Sequence, residues 1–187
     1  LLALSGCATF NPDPEWHHPH LERAHTAEQD GVSVSAVVVE DMEAERIFGV
    51  DLGSREIRAV WLEIRNDTDE MLHLLPSSLD LDYFSQNEAA YRFHSSFRPA
   101  QNRRISDHFH SLAIRKKLEA GATSSGYVLV NRHRGGRYLV VELLGEKTLH
   151  RFDFMFTLPD GSFDFEAIDF DRLYSHGEQR SVSIEEL

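Results

Sequence analysis

The sequence predicts a mainly β fold: an immunoglobulin-like antiparallel β-sandwich of about seven or eight strands with one inserted α-helix. Three observations lead there. Short apolar stretches with a period of two recur from Val32 to Phe170, and that period places alternate side chains on opposite faces of a strand. Turn-forming clusters separate them at short intervals, as at Asn66-Asp67-Thr68-Asp69, Gly135-Gly136, Gly145-Glu146 and Pro159-Asp160-Gly161. The main helical candidate is Arg98 to Leu118, with apolar residues (Ile105, Phe109, Leu112) at helical spacing, and Leu21 to Gln29 can form a short helix docked on the domain. Two antiparallel sheets packed face to face bury such strands best, with an open barrel as the alternative.

Taken in order, Gly31 opens a strand in which Val32, Val34, Ala36 and Val38 share a face. Met42 to Asp51 is a connection with room for short helical or extended pieces. Ile57 to Asn66 is the clearest strand of the first half, with Val60, Leu62 and Ile64 on one face and Ala59 and Trp61 on the other. Apolar residues on both faces suit an interior position in a sheet, and Trp61 reads as a core aromatic. Asn66 to Asp69 breaks this strand, and Met71 to Leu75 returns as its hairpin partner. Pro76 to Glu88 reads as a loop, and Ala89 to His94 as a short strand. The helix over Arg98–Leu118 ends in Arg115, Lys116 and Lys117, favourable to its dipole. From Gly121 a meander follows: Gly126–Asn131, Tyr138–Leu144 and Thr148–Leu158. Phe163–Phe170 closes it, with a bulge near Ala167.

The chain has 187 residues, the length of one domain. A hydrophobic content of 41% is enough for a core. The net charge of -12 argues against nucleic acid, whose phosphates need a basic footprint, and against the domain lying flat on anionic lipid. Self-repulsion of this charge favours solubility. The lone cysteine, Cys7, excludes an internal disulfide and any cysteine-based zinc site.

Leu4-Ser5-Gly6-Cys7 resembles the bacterial lipobox, the cleavage site of lipoprotein signal peptides, and Leu1-Leu2-Ala3-Leu4 looks like the tail of the apolar region before it. The resemblance implies that Cys7 becomes a lipidated N-terminus, stably anchored by its acyl chains. Ala8 stands where Asp would favour retention at the inner membrane. The resemblance therefore implies the periplasmic face of a bacterial outer membrane. The expected organisation is residual signal peptide over 1–6, lipidated Cys7 and a proline-containing tether over 7–30, the sandwich over 31–171, and a polar tail over 172–187. The run from Phe48-Gly49 through Val60-Trp61-Leu62, Asn66-x-Thr68, Asp80-x-Asp82-Tyr83-Phe84-Ser85 and Gly126-Tyr127-Val128 is similar to uncharacterised envelope lipoproteins with an immunoglobulin-like domain. That likeness implies fold and compartment and brings no activity.

The residues offer three candidate sites. His17, His18 and His20, with His25 further on, form a histidine-rich patch; neutral imidazoles suit Zn, Cu or Ni when three or four converge. Asp164 and Glu166 share a strand face and are candidate calcium ligands, although calcium takes six to eight oxygens. Asp80, Asp82 and Tyr83 form a third group, able to bind a partner or to place two carboxylates for hydrolysis. No catalytic residue can be assigned: the chain lacks Gly-x-Ser-x-Gly, His-Glu-x-x-His, phosphate loops and dinucleotide-binding glycines. No cofactor is expected. The leading expectation is a lipid-anchored, non-enzymatic binding or assembly module that contacts another envelope protein. A metal-binding envelope protein and a hydrolase with carboxylates near Asp80 and Asp82 are the alternatives.

Overall fold

The strand Ile57–Asn66 holds the architecture together because both its faces are apolar and both are covered. The structure, a computed structural model, describes residues 10–13, 16, 18–80, 83–132, 136–157 and 181–183. In chain order its elements are β1 (His25–Gln29), β2 (Val32–Val38), α1 (Asp41–Phe48), β3 (Ile57–Asn66), β4 (Leu72–Leu75), α2 (Pro76–Leu79), α3 (Gln86–Tyr91), α4 (Pro99–Ser111), β5 (Lys117–Leu118), β6 (Thr123–Asn131), β7 (Gly136–Leu144), β8 (Thr148–Thr157) and β9 (Ser181–Ser183). Short 3-10 turns lie at Pro19–Arg23 and Leu52–Arg55.

The strands form two antiparallel sheets, of order β1-β2-β3-β6 and β5-β4-β7-β8-β9. The expected β-sandwich is what the chain builds. Val34, Ala36, Val60, Leu62, Ile64, Val128 and Val130 point from the first sheet at Leu72, Leu74, Leu139, Val141, Leu143, Phe152 and Phe154 of the second. The other face of the first sheet presents Ile57, Ala59, Tyr127 and Leu129 to a layer of helices, which supplies Ala44, Ile47, Phe48, Ala89, Ala90, Ile105 and Phe109. Trp61 is half-buried against this second core, as a core aromatic should be. Each large apolar side chain so buried contributes roughly 1.5–3 kcal/mol.

Several expectations are corrected. The helix content is not one insertion but four helices among the described residues. Ala89–His94 is not a strand: α3 covers Ala89 to Tyr91. Its start is fixed by Ser85, whose hydroxyl accepts the Glu88 N–H at 3.2 Å. That is a helix N-cap with Glu three residues on, the capping-box pattern in sequence, and it outweighs the alternation of Ala89, Tyr91 and Phe93. The main helix begins at Pro99, a residue suited to a first helical turn, and stops at Ser111 rather than Leu118. The chain there leaves to lie beside β6, with the Tyr127 N–H donating to Leu112 O at 2.8 Å. Pro76–Glu88 contains α2 and the start of α3 rather than only loop. Residues 7–30 are not all tether, because β1 pairs with β2 and His20 is buried. The strand and bulge expected over Phe163–Phe170 and the residual signal peptide expected over 1–6 lie outside the described residues, and the expected tail over 172–187 is not all tail, because Ser181–Ser183 pairs with β8.

Two further corrections concern pairing. β3 and β4 are not a hairpin but belong to different sheets, and the chain crosses again between β6 and β7, so of the expected meander only β7 and β8 are consecutive neighbours in one sheet. The first crossing is organised by Asn66, which is fully buried. Its Nδ2 donates to Glu70 O at 2.9 Å and Glu119 O at 3.1 Å, while its Oδ1 accepts the Thr68 N–H at 3.1 Å and the Thr68 hydroxyl at 2.6 Å. Glu70 continues the corner: its carboxylate accepts the Glu146 N–H at 2.7 Å and the Thr148 hydroxyl. These bonds, that from Thr148 foremost, hold the carboxyl below its ordinary pKa.

Replacing Asn66 by Ala strands the Thr68 N–H and two carbonyls at this corner. An unsatisfied buried group costs about 1–3 kcal/mol, so Asn66→Ala is expected to lower stability by roughly 2–4 kcal/mol. Urea unfolding followed by tryptophan fluorescence measures it; an unchanged midpoint would contradict this account of the corner.

Candidate functional site

The N-terminal segment is laid across the helical layer rather than hanging from it. The Asn11 N–H donates to Gly49 O at 3.0 Å and the Asp13 N–H to Arg46 O at 2.8 Å. The Phe10 ring meets His108 edge-on, 5.6 Å between centroids, and Arg104 lies over its other side at 5.7 Å. Arg46 stacks on Trp16 at 4.3 Å. Gly49 makes this possible. It ends α1 with φ +69°, and a Cβ there would stand 2.4 Å from Pro12 N, closer than any side chain tolerates.

Beyond Trp16 the 3-10 turn Pro19–Arg23 is fastened at two points. Arg23 forms a two-pronged pair with Glu43 of α1, at 3.2 and 2.6 Å, the geometry that suits guanidinium to carboxylate. Burial alone would raise the Glu43 pKa, but the bonds from Arg23 and from the Glu40 N–H hold it below the usual carboxylate range. The second point is His20, fully buried, whose Nε2 lies 3.1 Å from the Tyr127 hydroxyl of β6. His18 Nδ1 is 3.5 Å from the same oxygen, and the two imidazoles meet edge-on at 5.5 Å. Burial drives the His20 pKa down to about 4 and pushes the Tyr127 phenol up, with Glu43 adding to the latter. The pair is therefore a neutral imidazole hydrogen-bonded to a neutral phenol. The cluster fastens the segment to α1 and β6.

A cleft of about 250 Å³ opens on the other side of Tyr127, along the outer edge of β6. Its lining is mainly apolar, from Pro76, Phe84, Ile114, Val128 and Leu129, with Tyr83 at the rim under the Lys116 ammonium at 5.7 Å. Some of its polar groups are bonded to the protein, while the buried Gln86 Oε1 has no hydrogen-bond partner among the described residues. Gln86 Nε2 donates to Tyr127 O at 3.1 Å, and His110 Nε2 lies 2.6 Å from Asn87 Oδ1. Phe84 N–H and Ile114 N–H donate to Leu129 O and Tyr127 O, closing the edge of the strand on either side of the cleft. The close approach of Ile114 requires Gly126, where a Cβ would fall 2.5 Å from Ile114 N.

The residues expected to bind are distributed as follows. Tyr83 lines the cleft. Asp80 stands next to it as a cap on the strand edge, its Oδ2 accepting the Asn131 N–H at 3.0 Å. His18 and His20 do converge, but on Tyr127, and no group of three or more histidine, cysteine or acidic side chains able to hold a metal occurs among the described residues. Cys7, His17, Asp82, Asp164 and Glu166 lie outside the described residues. Sequence reasoning missed Arg23, Glu43 and Tyr127 as partners of the histidines, and no local spacing connects them. No helix among the described residues is long and apolar enough to cross a membrane. Comparison with protein-family models, curated proteins and solved structures gives no match.

The buried imidazole makes stability pH-dependent. Its pKa of about 4 lies below the ordinary 6.5, so the unfolded chain takes up this proton more readily than the folded one. Stability is full above about pH 6.5 and falls as pH drops towards 4, by roughly 2–3 kcal/mol at most. Thermal unfolding of His20→Gln between about pH 7 and 4.5 is expected to show a clearly flatter pH dependence than the parent; parallel curves would remove His20 from this role.

Proposed function

We propose that this chain is a lipid-anchored protein of the bacterial envelope, held through Cys7 at the periplasmic face of the outer membrane, and that its domain is a non-enzymatic binding or assembly module for another envelope protein. The observation that carries the binding reading is the cleft beside β6. At about 250 Å³ it falls below the roughly 300–1,000 Å³ of pockets that enclose small molecules and cofactors. It is the size to seat an apolar side chain of a partner, with Tyr83 and Lys116 at its rim. Two of the groups near it with acid–base capacity, Asp80 and His110, are bonded to the protein's own Asn131 N–H and Asn87 side chain. This favours recognition over hydrolysis. The anchoring reading draws its support from Leu4-Ser5-Gly6-Cys7.

Two experiments test the two halves. Expressed in bacteria with a complete signal peptide, the protein is expected to fractionate with membranes and to carry a lipid mass on Cys7. Cys7→Ala is expected to shift it to the soluble periplasmic fraction; membrane association of an unmodified protein would refute the anchor. For the module, Tyr83 is replaced by a benzophenone amino acid and irradiated in cells. The expected result is one discrete protein adduct, absent when the probe is placed at Glu119. If Tyr83 yields nothing beyond the control, the cleft is not the contact.

A further inference from the structure

The total charge of -12 hides an uneven distribution. Between Glu88 and Asp107 there is no acidic residue, while Arg92, Arg98, Arg103 and Arg104 all fall in that interval, with His94. The interval is the end of α3, the α3–α4 connection and the first half of α4. All four guanidinium side chains are exposed. None of them forms an ion pair with a carboxylate among the described residues; Arg92 donates to Arg55 O, Arg98 to Gln101 Oε1, and Arg104 covers Phe10. Two aromatic side chains stand out among them. Phe97 is 93% exposed and Tyr91 73% exposed. Aromatic rings flanked by arginine match a bilayer interface, where rings settle at headgroup depth and guanidinium groups pair with phosphates.

The position of the N-terminal segment says which way this patch faces. Phe10 is held between His108 and Arg104 of α4. Cys7 is only three residues before Phe10, and three extended residues span at most roughly 11 Å. An acyl anchor on Cys7 therefore enters the membrane beside α4, and it brings the α3–α4 patch to within about one or two Debye lengths of the surface.

We infer that the face formed by Tyr91, Phe97, Arg98, Arg103 and Arg104 docks on an anionic phospholipid bilayer, orienting the domain with its helical layer against the membrane. The inference rests for its geometry on the proposed anchoring at Cys7. It refines the expectation from total charge: the acidic surplus lies elsewhere, and the domain meets lipid by this one face. Chain continuity with Cys7 favours a bilayer over an acidic protein as occupant.

The test uses the full chain carrying Cys7→Ala, so that no acyl group contributes, and measures co-sedimentation with vesicles of phosphatidylcholine alone or mixed with phosphatidylglycerol. Binding to the anionic vesicles is expected to be stronger by roughly tenfold at low salt and to fade as salt is raised. Arg98→Glu/Arg103→Glu/Arg104→Glu is expected to abolish the preference, Phe97→Ala to weaken it, and the charge-matched Arg65→Glu/Lys117→Glu/Lys147→Glu to keep it. Circular dichroism and thermal unfolding confirm folding of each. Phe97→Ala removes no buried contact and so remains informative should the arginine triple misfold. Equal binding to both vesicle types, or a preference that survives both patch variants, overturns the inference. The two readings separate cleanly: a lipidated Cys7 with no preference for anionic vesicles refutes the docking face alone, whereas an unmodified Cys7 with the preference intact refutes the anchor alone.

Discussion

The amide of Asn66 is the point on which the two-sheet arrangement depends. A sandwich needs its chain to leave one sheet and enter the other, and every such crossing strips backbone groups of their ladder partners inside the protein. Asn66 is suited to that place because one side chain both donates and accepts. It ties the last residue of β3 to the carbonyls of Glu70 and Glu119 and to both donors of Thr68. Glu70 then carries the same corner to the β7–β8 turn. An apolar residue would fill the space and leave those groups bare.

The helical layer depends in turn on a second set of polar contacts, part-buried or buried, made by the N-terminal segment. His20 is buried against Tyr127, and Glu43 is buried beneath the more exposed Arg23, so removing Tyr127 or Arg23 leaves an enclosed polar group without its partner. Such contacts add little net stability over apolar replacements, but they define a single placement. The segment from Phe10 to Arg23 is thereby made part of the domain. This matters for any account in which Cys7 is an anchor, because the domain's freedom relative to the anchor is then set by a few residues and not by a long tether.

Much of the β framework is legible in the sequence because it is local. Ile57–Asn66 is read residue for residue from its two apolar faces, and Val32–Val38 from its alternation. What is not legible is which strand joins which sheet. The reading of β3 and β4 as a hairpin follows from a short polar turn, yet the same turn, with Asn66 buried, serves a crossing. α3 was legible, since Ser85-Gln86-Asn87-Glu88 is a helix start, but the alternation that follows it conceals this. Of the candidate site, Tyr83 lies at the cleft and Asp80 on the edge of β6, and that placement is decided by β6, where Asn131 stands 51 residues beyond Asp80. His20 and Tyr127 are 107 residues apart, and only the folded chain relates them.

The closed edge of β6 has a consequence for how this protein behaves in a crowd. An outer strand of nine residues with free N–H and C=O groups is a template for another chain. Here Asp80, Phe84 and Ile114 each occupy part of that template, and the second sheet ends on one side in a strand of only two residues, Lys117–Leu118. The same short segments that shape the cleft thus guard the molecule against strand-by-strand polymerisation. Any change that frees the residues around Asp80 and Phe84 alters solubility as well as recognition.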